Sequence, residues 1–469
     1  MHIYRTILVL FLDFDWSDSM NTAYHRLFEL TDKYSSLILE AERYIWTHPE
    51  SGFREWNTHK YLKEIFEGFG YKVSEVGDIP GFYTDIDTGR EGPVFAIFAE
   101  MDALIIPNHP ECDKTTGAVH ACAHHLQCAA LIGIAAVLSE PGALDGLCGK
   151  IRLIAVPAEE PIEIEYRKSL YDQGKIKYYC GKQEFIRRGI LDDVNLAMMV
   201  HSGSAPLAVN GGCNGFVSKR MTFIGKASHG ASPERGLNAL YAATNALSAA
   251  NAIREQYSAD RHFRFHPIIT HGGEAINVIP SEVVVESFTR GATMNTITAA
   301  NDKINRAFAA SAAAMGCKLI IEDKHGSAPR KEDKNLQAAV FEVGKLLYDE
   351  KDIKMNTDAW SAGCTDMGDV STLMPVVHPF VGSGKLPGHS SEYFVQDRVN
   401  GCVTNAKFQL GMIYYIMCNG AEYAKKVIDE AEVLYSSKEE YIKATEALSY
   451  YGDAVEYKED GSILIKYKQ

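Results

Sequence analysis

The sequence lacks several features that would place it in a specialised class of protein. Its ten cysteines include no Cys-x-x-Cys pair, which disfavours a disulfide framework and a zinc ribbon. We find no internal repeat, low-complexity tract or transmembrane span in the 469 residues. The net charge of -14 argues against nucleic acid or an anionic membrane surface as a partner. Free thiols fit the reducing cytosol, so we expect a cytoplasmic protein. The length of 469 residues predicts more than one domain.

The first residues need separate treatment because residues 7–12 form a short apolar run like the core of a signal peptide. Asp13, Asp15 and Asp18 follow at once, and no small-residue cleavage site appears. We therefore interpret the segment as non-secretory. A helical pattern begins just after Met20, which leaves both Met1 and Met20 open as the start of translation.

One short stretch, His120-Ala-Cys-Ala-His-His125, gathers a thiol and three imidazoles within six residues. A thiolate is a soft donor and an imidazole a borderline one, and together they suit Zn²⁺ or a neighbouring first-row metal. Residues 126–138 are apolar and rich in alanine, which predicts a helix directly after the cluster. A buried cysteine with locally hydrogen-bonded histidines would explain the cluster equally well if it stood alone.

Three apolar strands are each followed by acidic or imidazole residues. Their alternation with helices predicts an α/β domain with a mostly parallel sheet, whose ligand site lies beyond the carboxyl ends of the strands. The strands and the residues after them are 93–99 with Glu100 and Asp102, 151–156 with Glu159 and Glu160, and 196–200 with His201. Core packing alone does not explain polar residues at all three ends.

The adjacent carboxylates of Glu159 and Glu160 can take different roles in a two-metal hydrolase. One ligates a metal ion, and the other accepts the proton of the metal-activated water. In isolation, a solvated loop would explain this pair, and a hydrogen-bonded strand end would explain His201. Their joint placement with Cys122 and His124 favours a metal site.

A series of motifs resembles that of the dinuclear-metal amidohydrolases, which include aminoacylases, carboxypeptidase G and plant auxin-conjugate hydrolases. The motifs are His48-Pro-Glu50, Glu100-Met-Asp-Ala103, His120-Ala-Cys122 with His124, Pro157-Ala-Glu-Glu160, His201, Gly225-Lys-Ala-Ser-His229, Gly272-Gly-Glu-Ala-Ile-Asn-Val-Ile-Pro280, and Cys364-Thr-Asp-Met-Gly-Asp-Val370 with His389. The resemblance runs from about Thr22 to about Asn419. It is strongest to the branch of p-aminobenzoyl-glutamate hydrolase and of dipeptidases that act on β-alanyl or basic dipeptides.

The resemblance implies two divalent metal ions per chain, Zn or Mn, bridged by the thiolate of Cys122. Glu160 and His389 would complete one ion, and His124 and His201 the other. The implied reaction is cleavage of the amide bond of N-acyl or N-aroyl amino acids or dipeptides by a metal-bound hydroxide. Glu159 would be the general base, and Asp102 would support the ligands from behind; a helix cap or turn is the alternative for Asp102.

This chain departs from the family pattern at two places. The branch usually has Gly-His-Asn or Gly-His-Asp where this chain has Ala123-His124-His125. His125 could therefore alter the hydrogen bonds around the ligands or the metal preference. The other departure is a charged, helical insert over residues 161–182, where many relatives have a short glycine-rich segment. It could shape substrate access or be a surface elaboration.

Residues 213–324 have the pattern β-α-β-β-α-β, which predicts an inserted α+β, ferredoxin-like domain. In it, residues 216–224 alternate like an antiparallel edge strand. The resemblance implies a lid and a dimerisation surface, hence a homodimer. Residues 1–212 and 325–469 would form the discontinuous catalytic domain, although the tail from Lys438 has no assignable role.

Three lid residues lie in motifs that the family uses for substrate contact. Arg290 could grip a substrate carboxylate through its bidentate guanidinium. His229 would reach the partner's metal site and donate to the developing oxyanion, and Asn277 would add a second donor. A surface ion pair, a turn histidine and a turn-capping asparagine are the alternatives. For the whole chain, the alternative is a non-catalytic binding protein on the same fold, which metal analysis would distinguish.

Overall fold

A computed structural model describes residues 18–384 and 387–467 of the chain. The apolar run at residues 7–12 lies outside the described residues. The helices are α1 Asp18–Lys33, α2 Ser35–Thr47, α3 Trp56–Gly68, α4 His124–Leu138, α5 Ile164–Asp172, α6 Gly181–Arg187, α7 Ala239–Ile253, α8 Met294–Ala314, α9 Lys334–Gly344, α10 Met367–Ser371, α11 Asn405–Met417, α12 Glu422–Asp429 and α13 Lys438–Glu446. None of these helices is long and apolar enough to cross a membrane.

The strands form two large sheets, a third, five-stranded sheet and two short hairpins. They are β1 Ser74–Glu75, β2 Phe82–Asp87, β3 Val94–Glu100, β4 Leu104–Ile105, β5 Ala118–Val119, β6 Lys150–Val156, β7 Leu196–Met199, β8 His201–Gly203, β9 Leu207–Cys213, β10 Gly215–Ile224, β11 Arg264–Phe265, β12 Ile268–His271, β13 Glu282–Gly291, β14 Lys318–Ser327, β15 Arg330–Lys331, β16 Ile353–Ser361, β17 Val376–Val377, β18 Phe380–Gly382, β19 Tyr450–Asp453, β20 Val455–Tyr457 and β21 Ile463–Ile465.

The first large sheet has the order β1-β2-β6-β3-β7-β17. Strands β6, β3, β7 and β17 run parallel, and β1 and β2 add antiparallel pairs at one edge. Every residue of β3 is buried, as expected for a strand covered on both faces. The predicted mostly parallel sheet is therefore confirmed, and its strands β3, β6 and β7 lie where the sequence places them.

Helix α4 lies at the centre of one face of this sheet. All fifteen of its residues are buried, because it packs between β3 on one side and α2 and α11 on the other. Gly133 allows this approach: a Cβ there would lie 2.6 Å from a side-chain carbon of Ile38. The cluster of one thiol and three imidazoles thus lies at the start of a fully buried helix.

Two local patterns of the catalytic part predict elements that the structure does not have. The helical periodicity of residues 24–46 predicts one helix, but the structure has two helices, broken at Tyr34. The ring of Tyr34 packs edge-on against Phe69, and its hydroxyl hydrogen-bonds to Glu140, so tertiary contacts outweigh helix propensity there. Residues 71–76 have the composition of a strand, but only the two residues of β1 form one.

The second large sheet is antiparallel, with the order β11-β13-β10-β14-β19 and β12 also paired to β13. Helices α7 and α8 cover one face, which gives the predicted β-α-β-β-α-β arrangement. However, residues 216–224 do not form an edge strand: β10 lies at the centre, between β13 and β14. Its alternating pattern arises because one sheet face lies under helices and the other is open.

The C-terminal segment contributes to both parts of the molecule. Tyr441 of α13 is fully buried in the core of the catalytic part, and its hydroxyl donates to Asp369 at 2.9 Å. Strand β19 then pairs with β14 of the second large sheet. We therefore propose counting residues 450–467 with the lid; the other domain boundaries stay as predicted from the sequence.

Candidate metal centre and catalytic site

The candidate site lies where β3 and β6 end and α4 begins. Its backbone is unusual, since the non-glycine residues Ala123, Ala158 and His389 adopt the left-handed region, with φ of 69°, 58° and 59°. Such residues cost about 1–3 kcal/mol each and cluster at functional sites. At Ala123 the methyl group makes the left-handed turn costly, whereas glycine would adopt it without that cost.

Two groups of possible ligands share one cysteine. Cys122, His124 and His201 form the first, and Cys122, Glu160 and His389 the second, with ligand atoms within 4.8 Å of one another in each group. The Cys122 Sγ atom lies 3.4 Å from His201 Nε2 and 3.3 Å from His389 Nε2. The Glu160 Oε1 atom lies 2.9 Å from His389 Nε2. The structure thus brings together all five residues that the sequence suggested as ligands.

The donor set fits two divalent ions. The Nε2 atom of His124 and the Oε1 atom of Glu160 are buried and form no well-directed hydrogen bond in the described part of the chain. Their nearest polar neighbours are themselves ligand-type atoms, Glu100 Oε2 at 3.1 Å from His124 Nε2 and His389 Nε2 at 2.9 Å from Glu160 Oε1, so a cation would fit between them. Sulfur, imidazole nitrogen and carboxylate oxygen are the donors that zinc and neighbouring first-row metals take.

The pKa shifts of Cys122 and His124 also indicate a site that favours a cation. Burial raises the pKa of the Cys122 thiol well above its ordinary value. Burial alone would lower the pKa of His124, but Cys122, Glu100 and Asp102 outweigh it and hold that pKa well above the usual range. A divalent ion at these donors would supply the positive charge that a thiolate needs.

Glu159 is placed as a general base would be. Its carboxylate lies within 4.8 Å of ligand-type atoms of His124 and Glu100. Burial raises the pKa of Glu159 well above its ordinary value, and the neighbouring carboxylates of Glu100 and Glu160 raise it further. A raised pKa brings a carboxylate closer to the range in which proton transfer is efficient near neutral pH.

Asp102 connects the two ligand groups. Its Oδ1 atom lies 3.1 Å from His124 Nδ1, and its Oδ2 atom accepts a hydrogen bond of 2.9 Å from the backbone N–H of Glu160. Burial opposes its ionisation, but these hydrogen bonds lower the pKa of Asp102 to about 2. With Nδ1 of His124 held by Asp102, Nε2 is the nitrogen free to bind a metal.

His125 faces away from the ligand groups. Its Nε2 atom lies 3.4 Å from Glu42 Oε1, and its ring packs 4.9 Å from Trp46 and 5.2 Å from His120. Any effect of His125 on the ligand groups would therefore be transmitted through the backbone of α4. That His125 alters the hydrogen bonds of the ligands stays a prediction.

The insert at residues 161–182 contributes groups that sequence reasoning missed. Arg167 is buried and donates to the backbone carbonyl of Glu160, and Lys182 is buried against Glu100 and Asp366. A lysine and an arginine in a charged helical segment are typical of a surface. The motif around Asp366 is the signal that could have indicated Lys182, because a carboxylate buried in that motif would need a cation beside it.

The same insert borders a large cavity. Helix α5 forms one wall and the open face of the lid sheet the other, and the cavity measures about 960 Å³. Glu165 of α5 lies 3.3 Å from Arg220 of β10 across it. The insert therefore lies between the catalytic part and the lid.

The three predicted lid residues do not join the ligand groups within this chain. His229 and Asn277 are exposed neighbours at the tip of the lid, where residues 229 and 278 form a β-bridge. Arg290 lies at the base of the lid, donates to the carbonyl of Ala362 at 3.2 Å and stacks 5.3 Å from Phe288. Over the described residues, no hydrogen bond or ion pair links the three to the ligand groups.

Comparison with known proteins assigns this fold and site to a class. A family model described as a peptidase dimerisation domain matches residues 212–315. The human Xaa-Arg dipeptidase is 30% identical over 387 residues, which cover 78% of this chain and 81% of the dipeptidase. One of the subunits of the Escherichia coli p-aminobenzoyl-glutamate hydrolase is 31% identical over 232 residues, 46% of this chain and 48% of that protein.

Solved structures agree. A Bacillus subtilis protein described as a dinuclear metal binding peptidase of the M20 family superimposes with a TM-score of 0.64 at 21% identity, covering 82% of this chain and 99% of that one. These features define a metal-dependent hydrolase of amide and peptide bonds. The chain belongs to the M20 peptidase family. The family resemblance and the catalytic domain with an inserted lid, both expected from the sequence, are confirmed.

Proposed function

We propose that the chain is a two-metal amidohydrolase that releases an amino acid with a free carboxylate from N-acyl or N-aroyl amino acids or dipeptides. The observation that carries the proposal is the pair of ligand groups joined at Cys122. The names of similar proteins support the substrate class: an Xaa-Arg dipeptidase, an N-acetyl-L-cysteine deacetylase and an indole-3-acetyl-aspartic acid hydrolase.

The proposed mechanism assigns each step to a group of this chain. Cys122, His124, Glu160, His201 and His389 would hold two divalent ions, Zn or Mn, which would supply a water of lowered pKa and polarise the scissile carbonyl. Glu159 accepts the proton of the attacking water and delivers it to the nitrogen of the leaving amine. Asp102 fixes the tautomer of His124 and, through its second oxygen, the backbone at Glu160.

Substrate recognition is proposed to rest on the lid. Arg290 binds the carboxylate of the amino-acid half of the substrate. Its guanidinium is positioned by the ring of Phe288 and by a hydrogen bond to the carbonyl of Ala362. His229 donates to the oxyanion in the metal site of the partner chain, and Asn277 is the second donor. The exposure of His229 and Asn277 in the single chain supports this, because a residue that acts in another subunit must project from its own.

The proposed homodimer uses one edge of the lid sheet. Strand β19 covers the β14 edge, and no strand within the described residues pairs with the outer edge of β11 and β12. Apolar side chains gather there: Ile268 is 62% exposed, Ile269 is 40% exposed, and Tyr241 of α7 is 60% exposed. An unpaired edge with exposed apolar residues suits pairing with a second copy.

A cytoplasmic location is part of the proposal. It is supported by the ten cysteines, which are all unpaired in the structure.

Metal reconstitution tests the proposal. The protein is stripped with a chelator, titrated with Zn²⁺ or Mn²⁺, and assayed against N-acyl amino acids, N-aroyl amino acids and dipeptides. We expect two metal equivalents per chain and hydrolysis of at least one class. A single equivalent or none, without hydrolysis, would instead support the non-catalytic binding protein.

A further inference from the structure

Lys182 is the least expected charged residue near the site. Its side chain is fully buried, and its Nζ atom donates to the carboxylates of Glu100 and Asp366 at 2.5 Å each. Its backbone N–H also donates to Asp366, at 2.9 Å. Because a buried ammonium is tolerated only when it is paired, this geometry fixes Lys182 firmly between the two carboxylates.

Glu100 in turn stands next to a predicted metal ligand. Its Oε1 atom is held by Lys182, and its Oε2 atom accepts a hydrogen bond of 2.8 Å from Gln127. The same Oε2 atom lies 3.1 Å from His124 Nε2. Both oxygens of a carboxylate that is close enough to ligate a metal are therefore already engaged.

This placement matters because the structure contains a third possible ligand group. Glu100, His124 and Glu159 also have ligand atoms within 4.8 Å of one another. An ion bound there would take His124 away from Cys122 and would occupy Glu159. The chain thus needs a device that directs metal to the cysteine-centred groups.

We propose that Lys182 is that device: a positioning residue that keeps Glu100 out of the metal coordination shell. Its ammonium occupies one oxygen of Glu100 and repels a dication from the Glu100 side of His124. Metal is then bound at Cys122, and Glu159 stays free to move a proton. The inference rests on the proposed two-metal function, and it gives part of the 161–182 insert a role at the site.

Cobalt binding tests the inference without an activity assay. Co²⁺ bound by a thiolate gives an intense charge-transfer absorption that carboxylate-bound Co²⁺ lacks, so the absorption per bound ion reports whether Cys122 is a ligand. In Lys182→Met we expect this absorption to fall at least about threefold per bound Co²⁺, and kcat to fall about 10–100-fold in the metal-loaded enzyme. Wild-type absorption in this variant would overturn the inference.

A rescue experiment separates positioning from general damage. An amide is a poor metal ligand, so adding Glu100→Gln to Lys182→Met should restore the absorption to that of the wild type. If the double variant stays as low as Lys182→Met, Lys182 does not act through Glu100, and the inference fails.

The lid offers a matched control. Lys219 is also a fully buried lysine paired with a carboxylate, Asp323, and it donates to Asn301 at 2.8 Å. Lys219→Met should lower stability as any lost buried charge does, yet leave the Co²⁺ absorption per ion unchanged. A similar spectral loss in Lys219→Met would show that the change reports damaged folding, and would overturn the inference.

Two further outcomes are distinguishable. If the wild-type protein binds no Co²⁺ through a thiolate, the proposed two-metal function itself fails. If Lys182→Met does not fold, Lys182→Met/Asp366→Asn removes the cation together with one carboxylate, and the same spectral loss and the same rescue by Glu100→Gln are expected. Wild-type absorption in that folded variant would again overturn the inference.

Discussion

The catalytic part and the lid differ in how complete their sites are within one chain. The five predicted metal ligands already lie within reach of one another, although they come from distant parts of the sequence. The predicted lid residues His229 and Asn277 point into solvent instead. The difference teaches that most of the ligands are placed by the ends of a sheet and of a buried helix, whereas the lid residues need a second protomer or a closing motion.

The strongest test of the catalytic side is the loss of the shared ligand. Cys122→Ala should release at least one metal ion and abolish nearly all hydrolysis, because both ligand groups use the same sulfur. Metal content is measured by elemental analysis and activity by amide hydrolysis. Cys148→Ala, another half-buried unpaired cysteine, is the control and should behave as the wild type. Full metal content and activity in Cys122→Ala would remove the bridging role.

Glu159→Gln should keep both metals and lower kcat by about 10²–10⁴-fold or more, since the base is lost while the ligands remain. Stopped assays and elemental analysis of the same sample check the two halves of this statement. Glu160→Gln is the informative neighbour, because it should lose metal instead. Activity that survives in Glu159→Gln would require another base.

The dimer should allow two inactive variants to complement each other. His229→Ala should lower kcat with metals intact, because the contact forms mainly in the transition state. If His229 acts across the dimer, mixing His229→Ala with Glu159→Gln subunits should restore activity, since each mixed dimer contains one site with every group. Refolding the two variants together, with each refolded alone as the control, measures this. No gain on mixing would place His229 in its own chain's site or in none.

Arg290→Ala should chiefly raise KM for substrates with a free carboxylate, by about tenfold or more, as expected for a lost charge-assisted pair. The penalty should shrink for the matching amide substrates, which carry no charge to bind. KM is compared for acid and amide pairs in both proteins. Equal losses on the two would show that Arg290 does not bind the carboxylate.

The smallest expected effect concerns the pH dependence of the metal-free protein. Burial raises the pKa of Glu159, so the folded state holds a proton that the unfolded state releases. Stability from this group is therefore present below the ordinary glutamate pKa and is lost as pH rises through the raised value. Metal-free Glu159→Gln should thus gain melting temperature over the metal-free wild type as pH increases. A constant difference across pH would contradict the buried, protonated state.

Four of the five candidate ligands were predictable from a strong local signal, whereas His389 was suggested by the family resemblance alone. Glu159, Glu160 and His201 come directly after apolar strands, and Cys122 and His124 open an apolar helix, so sheet topology brings them to one edge. The central strands and the lid's element order follow from the same periodicities.

The features that the sequence did not predict depend on contacts between residues far apart in the chain, which no local pattern encodes. Lys182 looks like a surface residue until Glu100 and Asp366, far away in sequence, are seen to enclose it. The central position of β10 follows from β19 and β11 taking the edges, not from its own alternation. Likewise, the break at Tyr34 is caused by contacts with Phe69 and Glu140.

The pairing of β19 with β14 has a consequence for how the protein is made. The lid sheet cannot be completed until the ribosome has synthesised residues 450–453, so β14 carries an unpaired edge from its own synthesis until that point. A chain that ends before β19 would keep that edge open permanently. Because an unpaired strand readily adds the strand of another molecule, such truncated chains should aggregate even though every residue of the metal centre is present.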